Sequence, residues 1–324
     1  MRTLILKALQ QEGRVSGEQL GRRLNISRTA VWKHVNELRK KGYKITSSPR
    51  LGYSFVKSTD RLLPEEISLG LNTQLIGKHI LYREEVTSTQ NVAEELAKRG
   101  AEDGTVVISE GQTEGRGRMG RNWVSPAGEG VYLSIILRPN LRPTQVLQIP
   151  LIAAVAVSKA IKRVTNLQPK VKWPNDITLG GKKVGGILTE TSSEIDRVNY
   201  IVLGIGINVN TQRSLLPESI RGTATSLAEE CGGYISRVRF VQCLLAKFET
   251  LYSEFLVSGF DTIREDWKAL DNTIGSRVKV SAGAEEIEGE ALDIDREGFL
   301  LVRTKDGDVK RIISGDVHLR NRDR

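Results

Sequence analysis

At 324 residues, with 39% hydrophobic and 27% charged side chains, the chain is long enough for two or three globular domains. Two cysteines, Cys231 and Cys243, are too few for a disulfide framework or a cysteine-ligated metal site; the most apolar stretch, 147–157, is shorter than the ~20 residues of a membrane span, and Lys7 breaks the first apolar run, which excludes a signal-peptide pattern. The net charge of +9 is concentrated: residues 1–60 hold thirteen Lys and Arg against four acids, while the rest of the chain holds thirty-five of each. A cytoplasmic protein whose first sixty residues face a polyanion is the expectation.

In chain order, Leu4, Ile5, Ala8 and Leu9 give the spacing of a first helix. Ser16 is placed to cap a second helix over 17–24, and Ser27 a third that runs to about Lys41. Val31, Val35 and Leu38 form the buried stripe of that third helix, so Thr29, Lys33, Asn36 and Lys40 fall on the opposite face, flanked by Arg28 and Arg39. With Arg22 and Arg23 from the second helix, these are the candidate contacts to base edges and phosphates of a recognition helix in the major groove. Two strands, 43–46 and 53–56, around the turn 47–52 read as a wing. The segment resembles the winged-helix domains of bacterial repressors; a helical protein-interaction domain with a basic surface is the plainer alternative. Residues 58–80 read as a linker with a short helix at Pro64-Glu65-Glu66.

Four segments between 85 and 210 carry the chemistry. Ser88, Thr89 and Gln90, between a strand at 79–84 and a helix at 91–99, can hydrogen-bond a neutral polar ligand or simply cap the helix. Gln112 opens a loop in which Arg116, Arg118 and Arg121 alternate with glycines, including Gly117, and Trp123 follows. Mobile backbone and fixed positive charge suit phosphate or carboxylate, although a basic loop for RNA has the same composition, and Trp123 suits either a flat base or the core. The strand ending in Lys172-Trp173-Pro174-Asn175-Asp176 is followed by a Gly-Gly hairpin that returns Lys183 close to the polar pair. The fourth segment, Gly204-Ile205-Gly206-Ile207-Asn208-Val209-Asn210, is a buried strand whose glycines leave space on one face. Neither a P-loop nor a dinucleotide-binding fingerprint is present.

Gly-Arg-Gly-Arg-x-Gly-Arg-x-Trp, Lys-Trp-Pro-Asn-Asp, Lys-Val-Gly-Gly-Ile-Leu and Gly-Ile-Gly-Ile-Asn-Val-Asn, in this order, resemble the catalytic domain of biotin–protein ligases. With the winged helix in front, the resemblance extends to the bifunctional bacterial class that also represses biotin operons. It implies an α+β multidomain chain: a winged helix-turn-helix (1–60), a linker (61–78), a mixed-sheet, class II synthetase-like ligase domain (79–272) and an SH3-like barrel (273–324). Short alternating segments at 277–280, 287–294, 299–303 and 309–313 agree with the last of these, and 240–255 has helical spacing.

The resemblance implies ATP-dependent formation of biotinyl-5'-AMP and transfer of biotin to a lysine of an acceptor such as the biotin carboxyl carrier domain of acetyl-CoA carboxylase. It assigns Ser88, Thr89, Gln90, Gln112, Arg116, Gly117, Arg118 and Lys183 to biotin or its activated carboxylate, and Trp123, Asn175, Asp176 and Asn208 to the nucleotide. Lys183, Arg118 and Asp176 are the candidate catalytic residues. Mg2+ is expected to arrive through ATP phosphates, with no protein metal ligands assigned. Arg213 and Arg221 are expected in a second loop over adenosine. Biotinyl-5'-AMP would act as corepressor, promoting a homodimer that binds operator DNA. Lipoate ligation, or ligand sensing without catalysis, are the competing readings.

Overall fold

A computed structural model describes residues 1–49, 51–57, 59–194, 197–282 and 285–320. Arg50 of the expected wing turn, Ser58 of the expected linker and 321–324 of the expected last domain lie outside these residues. The chain forms two compact units, Met1–Asn72 and Thr73–Arg324.

The first unit contains helices α1 (Arg2–Glu12), α2 (Gly17–Leu24), α3 (Arg28–Lys40) and α4 (Pro64–Gly70). Its strands β1 (Arg14–Val15), β2 (Lys44–Ser48) and β3 (Gly52–Lys57) form a sheet of order β1-β3-β2. Both expected caps are made. Ser16 accepts from Gln19 N while the Gln19 side chain accepts from Ser16 N, a reciprocal capping box, and Ser27 accepts from Ala30 N. Gly21 lets α2 approach the turn into α3: a Cβ there would lie 2.7 Å from the Ile26 carbonyl oxygen. Val31, Val35 and Leu38 are fully buried as expected. In α1 the buried residues are Ile5, Leu6 and Leu9, whereas Leu4 is 50% exposed, so the helix is turned by a fraction of a turn from the expected face.

Within the expected linker 61–78, the short helix expected at Pro64-Glu65-Glu66 is α4. Helix α4 packs on α1, and its Glu65, only 4% exposed, pairs with Arg2 Nε at 2.7 Å and Lys41 Nζ at 2.8 Å. Burial pushes the Glu65 carboxyl upward, but Lys41 and Arg2 outweigh it and hold the group below its ordinary value. Two cations thus make this burial tolerable, and α4 belongs to the compact unit that ends at Asn72.

The second unit is built on a seven-stranded sheet of order β4-β5-β6-β10-β9-β8-β7. Its strands are β4 (Ile80–Val86), β5 (Val106–Gln112), β6 (Val131–Leu137), β7 (Lys170–Lys172), β8 (Asp176–Leu179), β9 (Lys182–Ser193) and β10 (Val198–Ile207). Among the described residues of this sheet only strands β4 and β5 pair in parallel, joined across helix α5 (Thr89–Lys98), which buries Ala93 and Ala97 against Val107, Ile136 and Val202. Helix α6 (Ile149–Thr165) packs on β7, β8 and β9 and on α9 (Arg237–Ser258). The stretch 143–165 is long and apolar enough to match a membrane span by composition, but 72% of its most apolar window is buried within this unit. Short helices α7 (Glu218–Arg221) and α8 (Leu227–Cys231) precede α9, and α10 (Asp261–Leu270) follows it.

Strands β11 (Arg277–Ala282), β12 (Glu285–Ile294), β13 (Leu300–Thr304), β14 (Val309–Ile312) and β15 (Asp316–Arg320) form an antiparallel sheet of order β14-β13-β12-β11-β15. Among the described residues no ladder joins its edge strands β14 and β15. This sheet belongs to the same compact unit as the larger one. Trp173 Nε1 donates to Gly298 O at 3.0 Å and Gln148 Nε2 to Arg296 O at 3.0 Å, which ties the two sheets together.

Candidate active site

A cavity of about 280 Å3 opens over the middle of the seven-stranded sheet. One end is polar and uncharged. Ser88 caps α5 by accepting from Gln90 N, which sets Thr89 and Gln90 at the first turn facing the sheet. Gln90 Nε2 donates to Val202 O at 2.9 Å, and its Oε1 lies 2.9 Å from Ser134 Oγ. Ser134 Oγ is also 3.0 Å from Thr89 Oγ1. Gln112 Oε1 accepts from Thr89 N at 2.8 Å, while its Nε2 donates to Ser125 Oγ at 2.8 Å. These groups form a closed, pre-oriented network that can exchange partners with a neutral polar ring. Ser88, Thr89, Gln90 and Ser134 are all buried.

The floor is made by glycines, as their spacing in the fourth segment predicts. A Cβ on Gly204 would lie 2.6 Å from Gln90 Oε1, and one on Gly206 would lie 2.7 Å from Trp123 Nε1. Gly186 on the neighbouring strand also faces the Trp123 ring. Trp123 therefore lies against the sheet as a wall of the cavity, not within the core.

The other end is cationic. Lys183 Nζ stands 2.6 Å from Asp176 Oδ1 and 5.5 Å above the Trp123 ring centroid. Asn175 Nδ2 donates to Ile187 O at 2.8 Å and leaves its Oδ1 to Arg118 Nη1 at 3.2 Å. Arg118 also donates to Gly315 O at 3.3 Å. Burial lowers the Arg118 pKa and Arg121 adds to the shift, against the pull of Asp176. The flanking arginines are engaged: Arg116 pairs with Glu190 and donates to Asn91 Oδ1 at 2.8 Å, and Arg121 pairs with Asp316. Among the described residues Arg118 has no carboxylate partner, so it is the loop arginine with charge to spare for an anion.

All twelve ligase-site residues singled out from the motifs line this one cavity: Ser88, Thr89, Gln90, Gln112, Arg116, Gly117, Arg118, Trp123, Asn175, Asp176, Lys183 and Asn208. Asn208, 4% exposed, is held by donation to Thr225 O at 3.0 Å. The expected second loop borders the cavity, but Arg213 and Arg221 themselves do not line it. Their guanidinium groups turn to local backbone, Arg213 Nε to Arg221 O at 3.1 Å and Arg221 Nε to Leu216 O at 2.7 Å. It is Leu216, Ile220 and Ala224 of that loop that line the cavity, an apolar surface suited to a flat ring. Ser134 and Asp316 also line it and were not singled out in the sequence.

In the first unit, Arg22, Arg23, Arg28, Thr29, Lys33 and Lys40 are exposed, and Asn36 and Arg39 are half-buried. Arg22 pairs with Glu18 at 2.6 Å and Arg23 with Glu12. Arg39 buttresses the hairpin by donating to Ile45 O at 2.8 Å and Asn36 Oδ1 at 3.1 Å, so Thr29, Lys33 and Lys40 form the open part of the face. Trp32, 52% exposed on the flank of the same helix, is a large side chain outside the periodic buried stripe.

Residues 81–208 match the biotin/lipoate A/B protein ligase family, 2–54 an HTH domain and 273–320 the biotin protein ligase C terminal domain. In this order the three matches describe a cofactor–protein ligase preceded by a DNA-binding module. The chain is 42% identical to the bifunctional ligase/repressor BirA of Bacillus spizizenii over 94% of both chains, and 41% identical to that of Bacillus subtilis over 98% of both. Among solved structures, the biotin protein ligase from Aquifex aeolicus in complex with biotin and ATP superposes with a TM-score of 0.65 at 33% identity, covering 76% of this chain and 100% of that one. The chain belongs to the biotin–protein ligase family, in its bifunctional ligase/repressor class.

Proposed function

We propose that this chain activates biotin with ATP as biotinyl-5'-AMP and transfers the biotinyl group to a lysine of a biotin carboxyl carrier domain, acting in the cytoplasm. Its adenylate-bearing homodimer would bind operator DNA through the N-terminal units. One observation carries the ligase reading: a single cavity has a neutral hydrogen-bonding end, a glycine floor and a cationic end. Biotin has the matching sequence of parts, a neutral ureido ring, an aliphatic chain and a carboxylate.

The chemistry divides into two steps because a carboxylate is a poor acyl donor. In the first, a biotin carboxylate oxygen attacks the α-phosphorus, and the bond to the bridging oxygen breaks as pyrophosphate leaves. Lys183 and Arg118 offset the negative charge gathered at carboxylate and α-phosphate. Asp176, at 2.6 Å, orients Lys183. In the second, the acceptor amine attacks the activated carbonyl and AMP departs with the electron pair of the C–O bond. An amine of pKa ~10.4 spends about 4.6 kcal/mol to be deprotonated at pH 7, so the reactive anhydride and a base are both required. Asp176, a cavity-lining carboxylate beside Lys183, is the candidate acceptor of that proton.

The carboxylates lining the cavity, Asp176 and Asp316, each engage a cation, and no cluster of three His, Cys, Asp or Glu occurs among the described residues. This donor set fits Mg2+ carried mainly by ATP phosphates, with Asp176 and the Asn175 and Asn208 carbonyl oxygens at hand; the ion would supply charge neutralisation on the triphosphate. Labelling of an acceptor domain with radioactive biotin or lipoate, each with and without ATP, tests the reading. Biotin and ATP together should label the lysine; labelling by lipoate alone would assign a different substrate, and none with either would leave a sensing protein.

A further inference from the structure

The loop 113–130 brings the arginines and Trp123 to the cavity, and the segment 211–236 brings Leu216, Ile220 and Ala224. The first runs from β5 to β6 and the second from the end of β10 into α9, and their ends meet at one place. Arg237, 3% exposed at the start of α9, donates through Nη1 to Glu110 Oε2 at 2.8 Å and to Gly130 O at 3.3 Å, so one guanidinium holds both roots of the arginine loop. Gly128 N donates to Glu110 O at 3.1 Å and closes the same base. Asn210 fastens the second segment. Its side chain exchanges both hydrogen bonds with the Ile235 backbone, each 2.9 Å, while its own N–H donates to Glu129 O at 2.7 Å.

The ends of the two segments thus meet in a single knot around the buried Glu110–Arg237 pair. A buried ion pair adds little net stability, since desolvation offsets attraction, but it permits few alternative geometries. Glu110 lies two residues before Gln112, which bridges Thr89 and Ser125 at the polar end of the cavity. Neither Glu110, Asn210 nor Arg237 lines the cavity. We propose that these three are positioning residues that set the arginine loop and the 211–236 segment in register, so that both close over one adenylate. The proposal rests on the ligase reading above.

The test measures KM and kcat for ATP, biotinyl-5'-AMP escaping per biotin transferred, and the melting temperature. It compares wild type with Asn210→Ala, the double variant Glu110→Gln/Arg237→Met, and Arg237→Lys. Misregistered loops should raise KM for ATP and adenylate escape about tenfold in the first two, with kcat changed less, while Arg237→Lys stays near wild type. A drop in melting temperature with KM and escape unchanged would make the knot merely structural and overturn the proposal, as would no change in any quantity. Should the double variant not fold, Asn210→Ala, which removes no charge, decides alone. Absence of biotinyl-5'-AMP from the wild type would instead sink the ligase reading.

Discussion

At Gly206 a methyl group would come within 2.7 Å of the Trp123 indole nitrogen, and the backbone beneath cannot retreat because β10 is laddered on both sides. Gly206→Ala should therefore tilt Trp123 off the sheet and raise KM for ATP by about tenfold with little change in KM for biotin. Titration of each substrate separates the two; equal effects on both would show that Trp123 walls the whole cavity. The residues that could be read from the sequence, such as Lys183 and Gly204, stand in segments whose composition makes no sense as ordinary core. Ser134 does not: it is the one serine in an otherwise largely apolar strand, and only its register opposite Gly204 turns it toward Gln90. Asp316 comes from the C-terminal sheet, and no local pattern ties it to Arg121.

Among the elements, α2 and α3 were legible because Ser16 and Ser27 stop and start the chain by hydrogen bonds that spacing alone specifies. Strand β1 was not, since two residues cannot show an alternation; α4 was legible as a short helix at Pro64-Glu65-Glu66, but its packing was not, since two adjacent glutamates read as solvent-facing until Arg2 and Lys41 are seen to meet Glu65. The end of α10 carries a pH-dependent cost. Asp271 Oδ2 accepts from Thr273 N and Ile274 N, but burial outweighs these bonds and pushes its pKa up to about 6. The folded-state pKa lies above the unfolded one, so protonation favours the fold. Stability should fall as pH rises from about 4 through 6, by on the order of 2 to 3 kcal/mol in total. Asp271→Asn keeps the acceptor oxygen without the charge and should raise the melting temperature at pH 8 but not at pH 4. An equal effect at both would place the cost elsewhere. On α3, Lys33 is exposed and Asn36 is partly committed to Arg39. If Lys33 contacts a phosphate, Lys33→Ala should weaken DNA binding across sequences and reduce the salt dependence by about one counterion; an unchanged slope would remove it from the backbone contacts.

For the whole molecule, the division of charge is the division of labour: the basic excess lies within the first sixty residues, while the remainder is balanced and holds the cavity. Coupling between the jobs requires that the adenylate bind the dimerising form more tightly than the other. Sedimentation with biotin and ATP together should show more dimer than with either alone, and identical profiles would leave repression without this link. Both jobs depend on biotinyl-5'-AMP being formed in this cavity. Exchange of labelled pyrophosphate into ATP measures that step alone, without an acceptor. The wild type should exchange only when biotin is added, and Lys183→Ala should lose at least about a hundredfold. Exchange independent of biotin, or undiminished without Lys183, would contradict the assignment.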